Sequence, residues 1–243
     1  MSTVLILGAS SDIGYAIARH FASAKYDVQL AGRNVQSLQA FQSDLQIRYS
    51  VSCSLHSFDA LRFDSHESFY SSLSPRPDVT VYVAGYMTEN EKALSDWNET
   101  LRTIQTNYTG AISILNIVAR DYSSRSAGTI VGISSVAGNR GRQSNYIYGS
   151  AKAGFTAYLS GLRNQLFHQK VHVLTVLPGF VYTKMTEHLS LPKILTATPD
   201  EVGAAVYKAV KNKQDVLYVL WFWRWIMLVI TSIPESMFKK RKL

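Results

Sequence analysis

Val4-Leu5-Ile6-Leu7 is an uninterrupted apolar run that ends at Gly8. A strand with no polar alternation must be covered on both faces, as it is inside a parallel sheet. The unit then recurs. A helical pattern spans about Ile13 to Ala24, a strand Asp27 to Ala31, and a helix Val35 to Tyr49. Further strands are expected at Ser52–Phe58, Val79–Val83, Thr129–Ile133, His172–Leu177 and Val216–Leu220. Long helices are expected at Trp97–Tyr122 and Tyr148–Gln169, and Thr198-Pro199-Asp200-Glu201 reads as a helix start with a capping box and proline at the first position. Strands that alternate with helices predict an α/β chain with one doubly wound parallel sheet of about seven strands and helices on both faces.

With 243 residues, one domain is expected, 1–220, with 221–243 as an apolar and basic extension of it. Hydrophobic residues make up 47% and charged residues 17%, which argues against a disordered chain. The net charge of +8 suits an anionic partner, but the charges form no nucleic-acid motif. A single cysteine, Cys53, excludes an internal disulfide and fits a reducing compartment. The first strand begins too early to leave room for a signal peptide, so a cytoplasmic location is expected. No metal site is read from the sequence.

Gly8-Ala9-Ser10-Ser11-Asp12-Ile13-Gly14 lies between the first strand and the first helix. Gly8 allows a tight turn, Gly14 allows close helix packing, and the helix N-terminus offers free N–H groups to a pyrophosphate. Asp12 stands where a glycine would be usual, and its carboxylate is expected to point away from phosphate. Arg33 directly follows the second strand, with no carboxylate beside it, which favours NADP(H) over NAD(H), though NAD(H) stays open. Asp59 ends the third strand and either meets the adenine amino group or caps the next segment.

Tyr148 and Lys152 are four residues apart, one turn of a helix, on one face. A phenol has a pKa of about 10, and a nearby ammonium favours the phenolate. Such a pair exchanges a proton with an alcohol or carbonyl oxygen.

In their joint order, Gly8 and Gly14, Asp59, Asn107, Ser134-Ser135, Tyr148, Lys152 and Pro178-Gly179 resemble the short-chain dehydrogenase/reductase family over nearly the whole chain. The resemblance implies a Rossmann-like fold and an NAD(P)-dependent oxidoreductase. It assigns proton transfer to Tyr148, and pKa control and ribose binding to Lys152. Ser135, 13 residues before Tyr148, would hold the substrate oxygen; Ser134 is one residue too close. Asn107 would hold a water chain to Lys152. Ser10, Ser11, Ile13, Ala84, Gly85, Val181 and Thr183 join the cofactor-binding set, Thr183 with Pro178 and Gly179 near the nicotinamide. The family's Asn-Asn-Ala-Gly is replaced by Tyr82-Val83-Ala84-Gly85, so its strand-bracing side-chain bonds are expected to be lost. Dimers or tetramers through the helix of Tyr148 are implied.

From Trp221 onward the chain carries three tryptophans among aliphatic residues, then Lys239, Lys240, Arg241 and Lys242. Once Val216–Leu220 is used as a strand, the remainder is too short to span a bilayer, and it suits an interfacial segment on anionic lipid. Trp-Arg-x-Ile-Met followed by Ile-Pro-Glu-Ser-x-Phe is similar to the tail of the reductase subunits of decaprenylphosphoryl-ribose 2′-epimerases. This resemblance implies reduction of a polyprenyl-phosphoryl 2-keto-pentose for cell-wall arabinose, a separate flavin oxidase as partner, and work at the inner face of the plasma membrane. Arg140 and Arg142 are candidates for the lipid phosphate. The other readings are a 3-oxoacyl or other lipid-ketone reductase and a non-catalytic, cofactor-binding membrane adaptor.

Overall fold

The computed structural model describes residues 2–187 and 191–241. In chain order its elements are β1 (Thr3–Leu7), α1 (Asp12–Ser23), β2 (Asp27–Gly32), α2 (Gln39–Tyr49), β3 (Cys53–Ser57), α3 (His66–Ser72) and β4 (Val79–Tyr82). There follow α4 (Asn90–Ser95), α5 (Trp97–Ile104), α6 (Gly110–Arg125), β5 (Thr129–Ile133), α7 (Tyr146–Leu166), β6 (His172–Pro178), β7 (Phe180–Val181) and β8 (Thr196–Ala197). The chain closes with α8 (Pro199–Lys211), β9 (Val216–Val219), α9 (Trp223–Ser232) and α10 (Glu235–Phe238).

Seven parallel strands form the sheet in the order β3-β2-β1-β4-β5-β6-β9, and β7 and β8 make a separate pair. All five residues of β1 and all five of β5 are buried, as continuous apolar runs in a doubly covered sheet require. One core, containing Ile17, Phe21, Leu30, Val202 and Val206, lies under α1, α2 and α8. The other, containing Leu5, Ile114, Tyr122, Phe155 and Leu159, lies under α3, α6 and α7. The strand order reverses between β1 and β4, and ligands of such sheets bind at that switch point, outside the carboxyl ends of the strands.

The expected capping box is present: the Thr198 hydroxyl accepts from Glu201 N, and the Glu201 carboxylate accepts from Thr198 N. The single helix expected over Trp97–Tyr122 is instead interrupted by a π-helical turn, Gln105–Thr109, between α5 and α6. Such one-turn bulges re-aim side chains, and this one carries Asn107. The helix expected from Val35 opens as a short 3₁₀ turn, Gln36–Leu38, before α2. Helices α3 and α4 and the β7–β8 pair were not anticipated.

The tail is a structural part of the described chain. Trp223 and Met227, one turn apart on α9, are buried with Val136 and Leu177 in a third cluster. Trp223 fits against Gly179 so closely that a Cβ there would lie 2.0 Å from the indole ring. The Trp223 indole N–H donates to Leu195 O at 3.2 Å. Arg140 caps the end of α9, donating from Nη1 to the carbonyls of Ile230 and Ile233 and from Nη2 to Glu235, while its guanidinium stacks on Phe238. Lys242 lies outside the described residues. Among the described residues, no helix is long and apolar enough to cross a membrane. Because Trp223 is core, Trp223→Ala should cost about 3–5 kcal/mol in chemical denaturation; a loss below about 1 kcal/mol would mean that the tail only adheres to the surface.

Candidate active site

Gly8 has φ +100°, and a Cβ there would stand 2.5 Å from Ala84 N, so the turn after β1 requires glycine. At Gly14 a Cβ would meet Gly8 O at 2.8 Å, the close helix approach expected of it. Ser11 is the N-cap of α1: its hydroxyl accepts from Gly14 N and donates to Gly8 O. That hydroxyl is therefore spent inside the turn, whereas Ser10 is exposed. The Asp12 carboxylate accepts from Lys184 N at 2.9 Å, turned toward the loop after β7.

The turn separates two cavities along the carboxyl edge of the sheet. The first, a cleft of about 360 Å³, is lined by Ile13, Ser135, Tyr148, Lys152, Gly179 and Trp223, and also by Pro178, Val181 and Thr183. The second, about 110 Å³, is lined by Gly8, Arg33, Asp59, Ala84 and Gly85. Ser10, Ser11, Val83 and Gly85 border both, so the two are halves of one band. Arg33 is exposed and, among the described residues, has no hydrogen bond or ion pair. Asp59 caps the next segment, its carboxylate accepting from Leu61 N at 3.0 Å, and it also lines the smaller cavity.

Helix α7 carries Tyr148 and Lys152 on its cleft face. The Lys152 ammonium lies 5.7 Å from the Tyr148 ring centroid and donates to Ile133 O at 3.0 Å. It is only 3% exposed, and burial pushes it down from the ordinary lysine value to about 7. Burial likewise pushes the Tyr148 phenol up to about 12, opposed by a hydrogen bond from Ser135. This corrects the expectation from the sequence that Lys152 leaves the phenol acidified: among the protein's own groups, desolvation wins. Ser135 opens the turn after β5 and its hydroxyl also accepts from Ala137 N. Ser134 is instead structural, its hydroxyl buried against Lys152 O and Thr156.

Asn107 is fully buried. Its amide donates to Tyr86 O and Thr103 O, and its oxygen accepts from Tyr86 N. A Cβ at Gly85 would lie 3.3 Å from Asn107 Oδ1 and 3.9 Å from Lys152 Nζ, so these groups border one small space beside Gly85. The π-helical turn is held from the sheet by Tyr82, whose buried phenol donates to Thr106 O at 2.6 Å. The expected loss of strand bracing is thereby corrected: a longer side chain reaches from β4 to the turn. Met87, Phe180, Met185 and Trp223, which make the cleft wall apolar, were not read from the sequence as site residues. No short-range pattern marks them, because they come from three separate segments. Arg142 and Asn145 also line the cleft, whereas Arg140, expected as a phosphate candidate, is occupied by the tail.

Comparison with known proteins agrees with this geometry. The family model described as short chain dehydrogenase matches residues 2–193. An uncharacterized oxidoreductase of Mycobacterium tuberculosis is 32% identical over 240 residues, 98% of this chain and 96% of that protein. A 3-oxoacyl-[acyl-carrier-protein] reductase of Bos taurus is 26% identical over 76% of this chain and 78% of its own. In fold, the chain superposes with a TM-score of 0.83 on a short-chain dehydrogenase from Sphingobium yanoikuyae in complex with NADPH, at 24% identity, covering 97% of this chain and 98% of that one.

The buried ammonium carries a pH signature. A lysine whose folded value lies near 7, below its unfolded value of about 10.4, is protonated in the unfolded chain while neutral in the fold. Between these limits the unfolded state binds more protons, so stability should rise with pH, by up to about 1.4 kcal/mol per unit. Lys152→Met should remove that rise. Denaturation of both proteins from pH 7 to 9.5 checks it; parallel curves would show that Lys152 keeps its proton in the fold.

Proposed function

The chain belongs to the short-chain dehydrogenases and is an NAD(P)-dependent oxidoreductase, and from that premise we propose that it reduces the keto group of a lipid-linked sugar, a polyprenyl-phosphoryl 2-keto-pentose. The observation that carries this reading is the apolar wall of the cleft at Ser135 and Tyr148, which continues through Trp223 into a tail whose outer face is itself apolar. Trp221, Trp225, Leu228 and Val229 are each more than half exposed, beside the cations Lys239, Lys240 and Arg241. Such a face suits peripheral contact with an anionic bilayer, where a lipid-linked substrate would be met. A separate flavin oxidase would make the ketone, and a homodimer or homotetramer is the assembly we infer.

The residues fit a dinucleotide. The N-terminus of α1 and the turn at Gly8 would take the pyrophosphate, and unpaired Arg33 would take a 2′-phosphate, favouring NADP(H). Lys152 and Tyr148 would hold the nicotinamide ribose, with Pro178, Gly179, Val181 and Thr183 along the ring. The bound cofactor supplies hydride. Tyr148, held neutral by burial, donates its proton to the substrate oxygen as negative charge grows there. Ser135 donates a hydrogen bond to the same oxygen and stabilises that charge. A protonated Lys152 then steadies the phenolate. With Asn107 holding the backbone beside Gly85, the space between them offers a path for the replacement proton.

The second reading keeps this chemistry on a 3-oxoacyl thioester, favoured by the likeness to the bovine 3-oxoacyl-[acyl-carrier-protein] reductase. Oxidation of NADPH and NADH with both substrates decides between them. Turnover of the sugar lipid alone is the expected result; turnover of the thioester alone would overturn the substrate. Tyr148→Phe should lower the rate by roughly 10²–10⁴ while cofactor still binds. Undiminished turnover would remove Tyr148 from the mechanism. If wild type turns over neither substrate, the membrane-adaptor reading gains.

For the tail, truncation would strip Trp223 from the core, so surface changes are the cleaner test. A Trp225→Ser/Leu228→Ser/Val229→Ser variant should keep its fold and lose roughly tenfold or more in partitioning to anionic vesicles. Equal partitioning would exclude this face as the contact.

A further inference from the structure

We propose that Arg142 and Asn145 form an anion subsite at the mouth of the cleft, which takes a phosphate group of the substrate while its keto group lies at Tyr148. Only the placement of the keto group rests on the reductase reading; the subsite stands on its own geometry.

The loop between Ser135 and α7 carries two arginines with opposite environments. Arg140 is saturated by backbone carbonyls, Glu235 and the Phe238 ring. Two residues later, Arg142 has its Nε shut off from solvent with no hydrogen-bond partner. Among the described residues its side chain makes no hydrogen bond or ion pair, while its carbonyl accepts from Asn145 N at 3.1 Å. Burial pushes its guanidinium below the ordinary arginine value, and no carboxylate offsets this. Glu89 and Glu91 line the same groove without pairing with it.

Asn145 shows the same pattern. It stands at the N-cap of α7 without capping it, and its Oδ1 is buried and unpartnered. The two residues share a wall. Both border the inner cleft with Tyr148, and both border an outer groove lined by Met87, Leu94, Tyr146 and Phe180. Arg142 is half-buried, and a buried guanidinium N–H without an acceptor is costly unless a ligand completes it. The planar fork of an arginine matches a phosphate bidentately, and the amide beside it offers an acceptor to a neighbouring hydroxyl. Inward from the pair lies the proton donor; outward lies a groove whose apolar wall is Met87, Leu94, Tyr146 and Phe180, with Glu89, Glu91 and Lys92 also in its lining. The ligand this order fits is a hydroxylated ketone joined through a phosphate to a hydrocarbon chain.

The test is calorimetric titration of the full chain, saturated with NADP⁺ so that the cofactor's own phosphate sites are filled, with hexyl phosphate and with hexan-1-ol. Hexyl phosphate should bind roughly tenfold tighter or more. Arg142→Gln should reduce it to the level of the alcohol, and Arg142→Lys should restore only part. Since no side-chain hydrogen bond or ion pair is lost, the melting temperature of Arg142→Gln should equal or exceed that of wild type. Equal binding of hexyl phosphate by wild type and Arg142→Gln, no preference over the alcohol, or a lowered melting temperature would each overturn the subsite. Partitioning to anionic vesicles should not change in Arg142→Gln; a loss there would assign the anion to the bilayer surface and overturn a substrate role. Failure of ketone reduction with the phosphate preference intact would reject the reductase reading alone.

Discussion

Lys152 must lose nearly all of its water for α7 to lie against the sheet, and the site is built around that constraint. Its stem is enclosed by β5 and α7, and its ammonium meets the carbonyl of Ile133 at the end of the strand. An ammonium so placed is neither a surface charge nor half of a salt bridge. It is balanced near neutrality, where a small change in the charge of the phenol beside it decides whether the proton stays. Tyr148 is displaced the opposite way by the same cause. Burial thus keeps the phenol protonated and loosens the ammonium's hold on its proton: one can give a proton, the other can answer the charge that this creates.

That arrangement needs rigid walls, and three polar side chains supply them from inside the fold. Ser134 ties the end of β5 to the backbone of α7. Asn107 ties the π-helical turn to the segment after β4. Tyr82 ties β4 to the same turn. Each bond joins elements far apart in sequence, so the positions of Ser135, Tyr148 and Lys152 are set by the sheet edge rather than by loop conformation. Precision of this kind is what proton transfer over a single hydrogen bond demands.

The alternation of apolar runs with helical patterns made the sheet legible, because a strand covered on both faces cannot be written with polar alternation. Tyr148, Lys152 and Ser135 were legible because their spacing is local to one helix and one preceding strand end. The π-helical turn was not, since inserting one residue into a helical hydrogen-bond ladder leaves no mark on the apolar period of residues 97–122. Nor could Tyr82 be read as a brace: its partner is a backbone carbonyl 24 residues away. The tail was read by its hydrophobicity, yet hydrophobicity alone cannot say which face of α9 packs. That is decided by Gly179, whose missing side chain is the socket for Trp223.

The loop of Arg140 and Arg142 shows how the tail bears on the chemistry. A helix C-terminus presents unpaired carbonyls and the negative end of its dipole, and α9 presents these to Arg140. Once one arginine is committed there, the side chain of its neighbour two residues on is held beside the cleft with no acceptor among the described residues. Tail and substrate mouth are therefore one construction: the segment whose outer face is left apolar is the segment whose inner end anchors the loop leading into Tyr148. Displacing α9 would release Arg140 first, and with it the wall that keeps Arg142 and Asn145 at the entrance. In the reading we propose, a lipid surface in contact with α9 and a substrate drawn from it would act on the same short loop, from opposite sides.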